Sequence, residues 1–180
     1  MKRPHALLPL LVLLAVFPAG ASARTAAERP APLDGNAVIG FAGVGAIELG
    51  MTIDEARKAA RRGIVAGPEI TKGCRHDTVL PRRFGLTTLR FEKKIRVLYV
   101  TRTAMPTDKG IRVHDTLNRL KSKYGSKLTE RGSDVSLETR IFELQGKGRH
   151  EMQFSVNAEE RIFRIATGLR PEVDFSEGCA

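Results

Sequence analysis

An α+β fold is what the sequence predicts: two tandem units, each a short helix packed on antiparallel strands, forming one sheet with the helices on one face. Three observations lead there. A helix-start pattern occurs twice, in GMTIDEARKAA and VHDTLNRLKSKYG, with Thr52 and Thr116 about 64 positions apart. HEMQFSV alternates His150, Met152, Phe154 and Val156 with Glu151, Gln153 and Ser155, the period-2 mark of a sheet buried on one face. The connections GKGR and AEE between strand-like runs are short enough for antiparallel hairpins.

The elements follow in order. Residues 1–23 read as a secretory signal peptide. Lys2 and Arg3 precede an apolar run from Leu7 to Phe17, and Ala21-Ser22-Ala23 fits small-x-small cleavage. Pro18 and Gly20 end the run before it could span a bilayer, which takes about 20 apolar residues. No later run is long enough, so the chain is expected to be exported, periplasmic or secreted, with no transmembrane segment after signal removal. Residues 24–36 (RTAAERPAPLDGN) are rich in Pro, Ala and charge without any period, as in a flexible linker. About 140 residues remain for folding, enough for one domain or two small units sharing a core. With no Trp and two Tyr, that core must rest on Val, Ile, Leu and Phe.

The first unit spans residues 37–105. Glycine-broken extended segments lead to Thr52, a plausible N-cap, and Glu55 stands where a capping box would place it. Ile53, Ala56 and Ala60 form a narrow stripe for packing on a sheet, and Gly63 is a natural stop. A loop holding Cys74 and LPRRFG follows. The strands TTLRFE and IRVLYVTRT come next, with Lys93-Lys94 read as their turn. The second unit spans residues 106–180. Ile111 to Val113 reads as a short strand. Asp115 or Thr116 caps a helix bearing Leu117, Leu120 and Tyr124, and Gly125 ends it. Arg119 stands where Glu55 stood, so the second helix lacks the capping-box acid. Three strands follow, near 137–145, 150–157 and 161–168.

No nucleophile elbow, Walker loop, dinucleotide fingerprint or HExxH occurs. His114-Asp115 imitates part of a dyad, but the acid is wanted at the helix start and no Ser or Cys completes it. Glu159-Glu160 and Asp54-Glu55 fall in a turn and a first helical turn, where acids belong without function. No catalytic residue, metal site or cofactor is assigned, and the protein is not expected to be an enzyme. Cys74 and Cys179 are the two cysteines, and in an oxidising compartment such a pair forms a disulfide. His76 beside Cys74 is a weak metal signal.

The net charge is +10, and loss of Lys2 and Arg3 leaves about +8. Such an excess suits lipid phosphate, acidic polysaccharide or an acidic protein face, and equally a solvated basic surface. Nucleic acid is not expected, because no basic run is interleaved with aromatics. If Leu89, Phe91, Met152, Phe154 and Val156 face the helices, Arg90, Glu92, Gln153 and Ser155 face water. Arg96, Arg102 and Arg164 are expected to join that surface, although IRVLYV is too continuously apolar for alternation to orient it. The candidate binding face is therefore Arg90, Arg96, Arg102, Gln153 and Arg164, where arginines on a rigid platform suit carboxylate or phosphate.

GVGAIELGMTIDEARKAA, TDKGIRVHDTLNRLKSKYG and RIFRIATGLRPEVDFSEGC together resemble a family of small exported, mostly uncharacterised bacterial proteins. The likeness runs from about Val38 to Cys179 and rests on the G-x-I-x-L-G-M-T, G-I-x-V-x-D-T and P-E-V-x-F-x-E-G-C patterns. The opening is also similar to the helix start of the β-lactamase inhibitory proteins and of the SmpA/OmlA-like lipoprotein of outer-membrane β-barrel assembly. The resemblance implies a non-catalytic module that binds protein through an exposed sheet face, as an inhibitor or envelope-assembly accessory. The alternative is a lectin-like binder of anionic glycan or lipid head groups. The partner is thus an unknown protein or an anionic envelope component. No binding residue of these groups maps onto a position here.

Overall fold

The computed structural model describes residues 33–34, 36–134 and 139–174. The expected signal peptide, most of the expected linker and Cys179 lie outside them. The fold is α+β, with two short helices and mostly antiparallel strands in a three-stranded and an eight-stranded sheet. No helix among the described residues is long and apolar enough to cross a membrane.

The small sheet is β1 (Ile39–Gly40), β2 (Gly43–Val44) and β3 (Ile47–Glu48), paired in sequence order. Helix α1 (Ile53–Ala60) starts at Thr52, whose hydroxyl accepts from the Glu55 N–H at 3.3 Å while the Glu55 carboxylate accepts from the Thr52 N–H at 2.7 Å. Both halves of the expected capping box are therefore present. Four strands follow: β4 (Ile64–Thr71), β5 (Cys74–Val79), β6 (Leu86–Phe91) and β7 (Lys94–Val100). Helix α2 (Leu117–Tyr124) begins at Thr116, which accepts from the Arg119 N–H at 3.3 Å. Asp115 instead accepts from the Arg112 N–H and pairs with Arg119. Four more strands follow: β8 (Thr129–Asp134), β9 (Thr139–Gln145), β10 (His150–Val156) and β11 (Ile162–Leu169).

In the large sheet the order is β4-β5-β6-β7-β11-β10-β9-β8, antiparallel throughout. Ala56 and Ala60 of α1 and Leu117, Leu120 and Tyr124 of α2 share one apolar cluster with Leu98, Phe142, Phe154 and Ile165 of the sheet. Both helices thus cover the same face. The small sheet lies on that side too, since the Thr167 hydroxyl donates to the Gly40 carbonyl at 2.8 Å.

Several sequence expectations need correction. Residues 111–113 are not a strand: they form a turn region held by Thr107, whose N–H donates to the Ile111 carbonyl at 2.7 Å. The turn between β6 and β7 is Glu92-Lys93, with Glu92 left-handed at φ 55°, and Lys94 begins the strand. The segment around Cys74 is a hairpin of β4 and β5, not a loop. Leu89 and Phe91 point away from the helices and pack with Cys74, Val97, Tyr99, Ala166 and Val173. Arg90 consequently lies on the helix side. Finally, β10 is buried at every position from Glu151 to Val156, so the sheet's outer face is not simply solvated.

The last two corrections have one physical cause. After β11 the chain turns at Pro171, and the 3₁₀ turn Glu172–Asp174 lays Val173, 2 % exposed, on the outer face. A Cβ on Gly168 would lie 2.9 Å from the Val173 side chain and 3.1 Å from the Arg96 carbonyl, so glycine is what lets this turn sit down on the sheet. A second, smaller apolar core results on the side expected to face water.

Candidate functional site on the outer sheet face

Strand register defines a row across the outer face: Thr78, Thr87, Tyr99, Ala166, Gln153 and Glu143. Its two ends differ in chemistry.

The end built on β8 to β11 is acidic and internally neutralised. Glu151, 1 % exposed, is paired with Arg170 through Nε and accepts from the Gln153 amide at 2.7 Å. Arg170 also reaches Glu143 at 3.0 Å. Gln153 donates to Asp174 at 3.2 Å, and Asp174 pairs with Arg131. Burial pushes the Glu151 carboxyl above its ordinary pKa, and nearby Glu143 pushes the same way. The hydrogen bonds from Gln153 and Arg170 oppose this. Every carboxylate here has a cationic or amide partner, so this end closes the fold over the sheet.

At the end built on β5 to β7 and the start of β11, the surface is cationic. The Arg164 guanidinium lies 5.3 Å over the Tyr99 ring, and its Nε donates to the Ser155 hydroxyl at 3.2 Å. No carboxylate among the described residues pairs with it. The other side of the Tyr99 neighbourhood is His76, stacked at 5.9 Å with 17° between ring planes. Burial holds the His76 imidazole below its usual pKa; Asp77 pulls it up and Arg164 adds to the depression. Burial also raises the Tyr99 phenol. The aromatic pair is thus neutral at neutral pH, and positive charge there belongs to arginine.

Each residue of the expected binding face can now be placed. Arg164 is on the outer face, on the β11 side of the Tyr99 platform. Arg102 follows β7, exposed, at the same end of the sheet. Gln153 is on the outer face but spent on Glu151 and Asp174. Arg96 occupies an irregular position in the β6–β7 ladder, opposite the break between Leu89 and Arg90; its Nε is buried without a hydrogen bond, 3.9 Å from Glu172. Arg90 is elsewhere: on the helix side it binds the fully buried Asp77 at 3.0 and 3.3 Å. Asp77 also accepts from the Thr88 hydroxyl at 3.3 Å and the Gly67 N–H at 3.2 Å. The five residues therefore do not form one surface. Arg102 and Arg164 share an end, and the sequence reading missed Arg82, Thr78, Thr87 and Tyr99 beside them. The adjacent arginines of LPRRFG were the available signal.

Cys74 is fully buried on the outer face at the start of β5, opposite Phe91. Among the described residues, no group of three His, Cys, Asp or Glu side chains could hold a metal ion. His114 is exposed in a turn with φ 74°, donating its N–H to the Ile162 carbonyl.

No protein-family model matches the chain, and no curated protein does either. Among solved structures, the uncharacterized protein yfeY from Escherichia coli is similar at 15% identity with a TM-score of 0.48, covering 74% of this chain and 99% of that one.

Proposed function

We propose that this chain is an exported, non-catalytic binding module that engages an anionic envelope component through the β5–β7 end of its outer sheet face. The observation that carries the reading is the uneven use of charge. Arg102 and Arg164 have no carboxylate partner among the described residues, whereas the acidic end is neutralised by Arg131 and Arg170. An anion is the missing partner that this distribution favours. A broad inhibitor-like protein interface across the whole sheet fits less well, because the Glu172–Asp174 turn occupies part of the face.

The module is read as two helix-plus-sheet units, residues 37–105 and 106–180. In support, each helix is followed by four strands in hairpin succession, and the last strand of each set pairs with the other. Export by the signal peptide of residues 1–23, membership of the small exported family, and a Cys74–Cys179 bridge belong to the same proposal. The buried position of Cys74 on the outer face, the side onto which the C-terminal turn folds, supports the bridge.

The test is capture from native envelope by the mature chain at low and moderate ionic strength, beside an Arg164→Glu variant. Capture should fall steeply with salt and fail in the variant. Capture equal at both salts and in both proteins would count against an anionic partner.

A further inference from the structure

Beside the Tyr99 platform is an open depression of ≈ 360 Å³ lined by Thr78, Arg82, Thr87, Thr101, Arg102 and the Gly85–Leu86 backbone. We propose that it is a binding site for a phosphate monoester, with Arg82 and Arg102 as the charged clamp and the threonine hydroxyls as its floor. This rests on the reading of the outer face as an anion-binding surface, and it names the chemistry and the residues.

Fold and register assemble the site. Thr78 and Thr87 are a cross-strand pair of β5 and β6 on the outer face, and Thr101 continues β7 beside Gly85 through an N–H···O bond of 2.9 Å. The Thr78 and Thr87 hydroxyls have no hydrogen bond to the described protein, so both are available as donors. The Thr101 hydroxyl is spent on the Gly85 carbonyl at 3.1 Å, so the free donors of the floor are Thr78 and Thr87. Arg82 opens the 3₁₀ turn Arg82–Phe84, and Arg102 approaches from the opposite strand end. Gly85, at φ 58°, permits this approach: a Cβ there would lie 2.6 Å from Arg102 Cγ and 2.8 Å from the Thr101 hydroxyl.

Charge decides the ligand class. No carboxylate lines the depression, and neither guanidinium has an ion-pair partner among the described residues. Asp77, next in sequence to Thr78, faces the other side and is consumed by Arg90. The neighbouring depression, lined by Asp34, Arg62, Arg83 and Phe84, differs on these counts: it contains an acid, and Arg62 donates to the Leu33 carbonyl at 3.0 Å. A carboxylate would satisfy one guanidinium with its two oxygens. Two guanidiniums plus free hydroxyls call for the additional acceptors and second charge of a phosphate monoester. The depression is roomier than a phosphate, leaving space for the group that carries it.

The experiment uses the purified mature chain. Amide chemical shifts of Gly85, Thr87 and Thr101 are followed during titration with inorganic phosphate and, in parallel, acetate. Sedimentation with phosphatidylcholine vesicles, plain or doped with phosphatidic acid, separates a lipid head group from free phosphate as the source. Three proteins are compared: wild type, Arg82→Ala/Arg102→Ala, and Thr78→Val/Thr87→Val. The proposal expects localised shifts with phosphate and not acetate, or binding to doped vesicles only. It expects a loss of roughly tenfold or more per arginine removed, with the thermal midpoint unchanged because both side chains are exposed and unpaired. The valine pair must also weaken binding, since it leaves net charge alone. No site-localised response to phosphate or doped vesicles, an equal response to acetate, or full binding by either variant would overturn it. None of these readouts needs an envelope partner, so failed capture with intact phosphate binding would sink the module reading and spare the site.

Discussion

Asp77 joins three segments of the hairpin side of the sheet. It is wholly buried and accepts from Arg90, Thr88 and the Gly67 N–H. Removing one member of a buried pair leaves the other desolvated and unmatched, a cost of about 3–5 kcal/mol. Asp77→Ala is expected to destabilise by that amount in urea unfolding. A loss under about 1 kcal/mol would mean that water screens the pair as it does on a surface. Arg90 also marks the limit of reading from sequence. Apolar Leu89 and Phe91 alternate with it, so placing those two against the helices put Arg90 outside. The rule assumes one buried face, and here the second face is also apolar, under Val173. The acid that claims Arg90 is 13 residues away in sequence, on the neighbouring strand.

At the scale of elements, the helices were legible because their start signals are local. Thr52 and Glu55 sit three apart and satisfy each other's backbone groups, whatever the rest of the chain does. In α2 only Thr116 contributes, with no return bond. Thr52→Ala and Thr116→Ala should each cost about 1 kcal/mol, measured as a shift in thermal midpoint. Glu55→Ala should cost a further increment in α1, whereas Arg119→Ala should remove no cap in α2. Equal effects of those two changes would contradict the difference in capping. The inner strands β9, β10 and β11 were also legible, from alternation and short turns. The edge strands were not. β4 carries Gly67-Pro68 at a register break between Ala66 and Glu69 and is mostly exposed, and β8 is TERGSD with a break near Gly132. Edges are protected from further pairing by such interruptions, and the same interruptions erase the period that sequence reading relies on. The proposed anion site was half legible, as arginine excess; its threonine floor depends on a register that no local pattern reveals.

On the whole-molecule scale, the C-terminal turn ties β11 back over β7 and β10 through Val173, Asp174 and Glu172. A bridge from Cys74 to Cys179 would lengthen that tie across β6 to β5. It would close a loop of about 105 residues, worth about 4–5 kcal/mol on the chain-entropy account. Intact mass after alkylation of the protein purified from an oxidising compartment should show no modified cysteine without reductant and two with it, and reduction should lower the unfolding midpoint. Alkylation of both cysteines without reductant would remove the bridge from the account.

The central ladder has a further consequence. Val97–Val100 and His150–Val156 both pair with β11, and among the described residues no ladder joins their two halves directly. Strand β11 is therefore the keystone of the sheet, although it is the last of the described strands in sequence order. A chain cut before Ile162 would leave two separate sheets, each with a freshly bared edge. Integrity of the whole sheet thus rests on Ile162–Leu169, residues that lie far in sequence from the arginines and threonines of the proposed site.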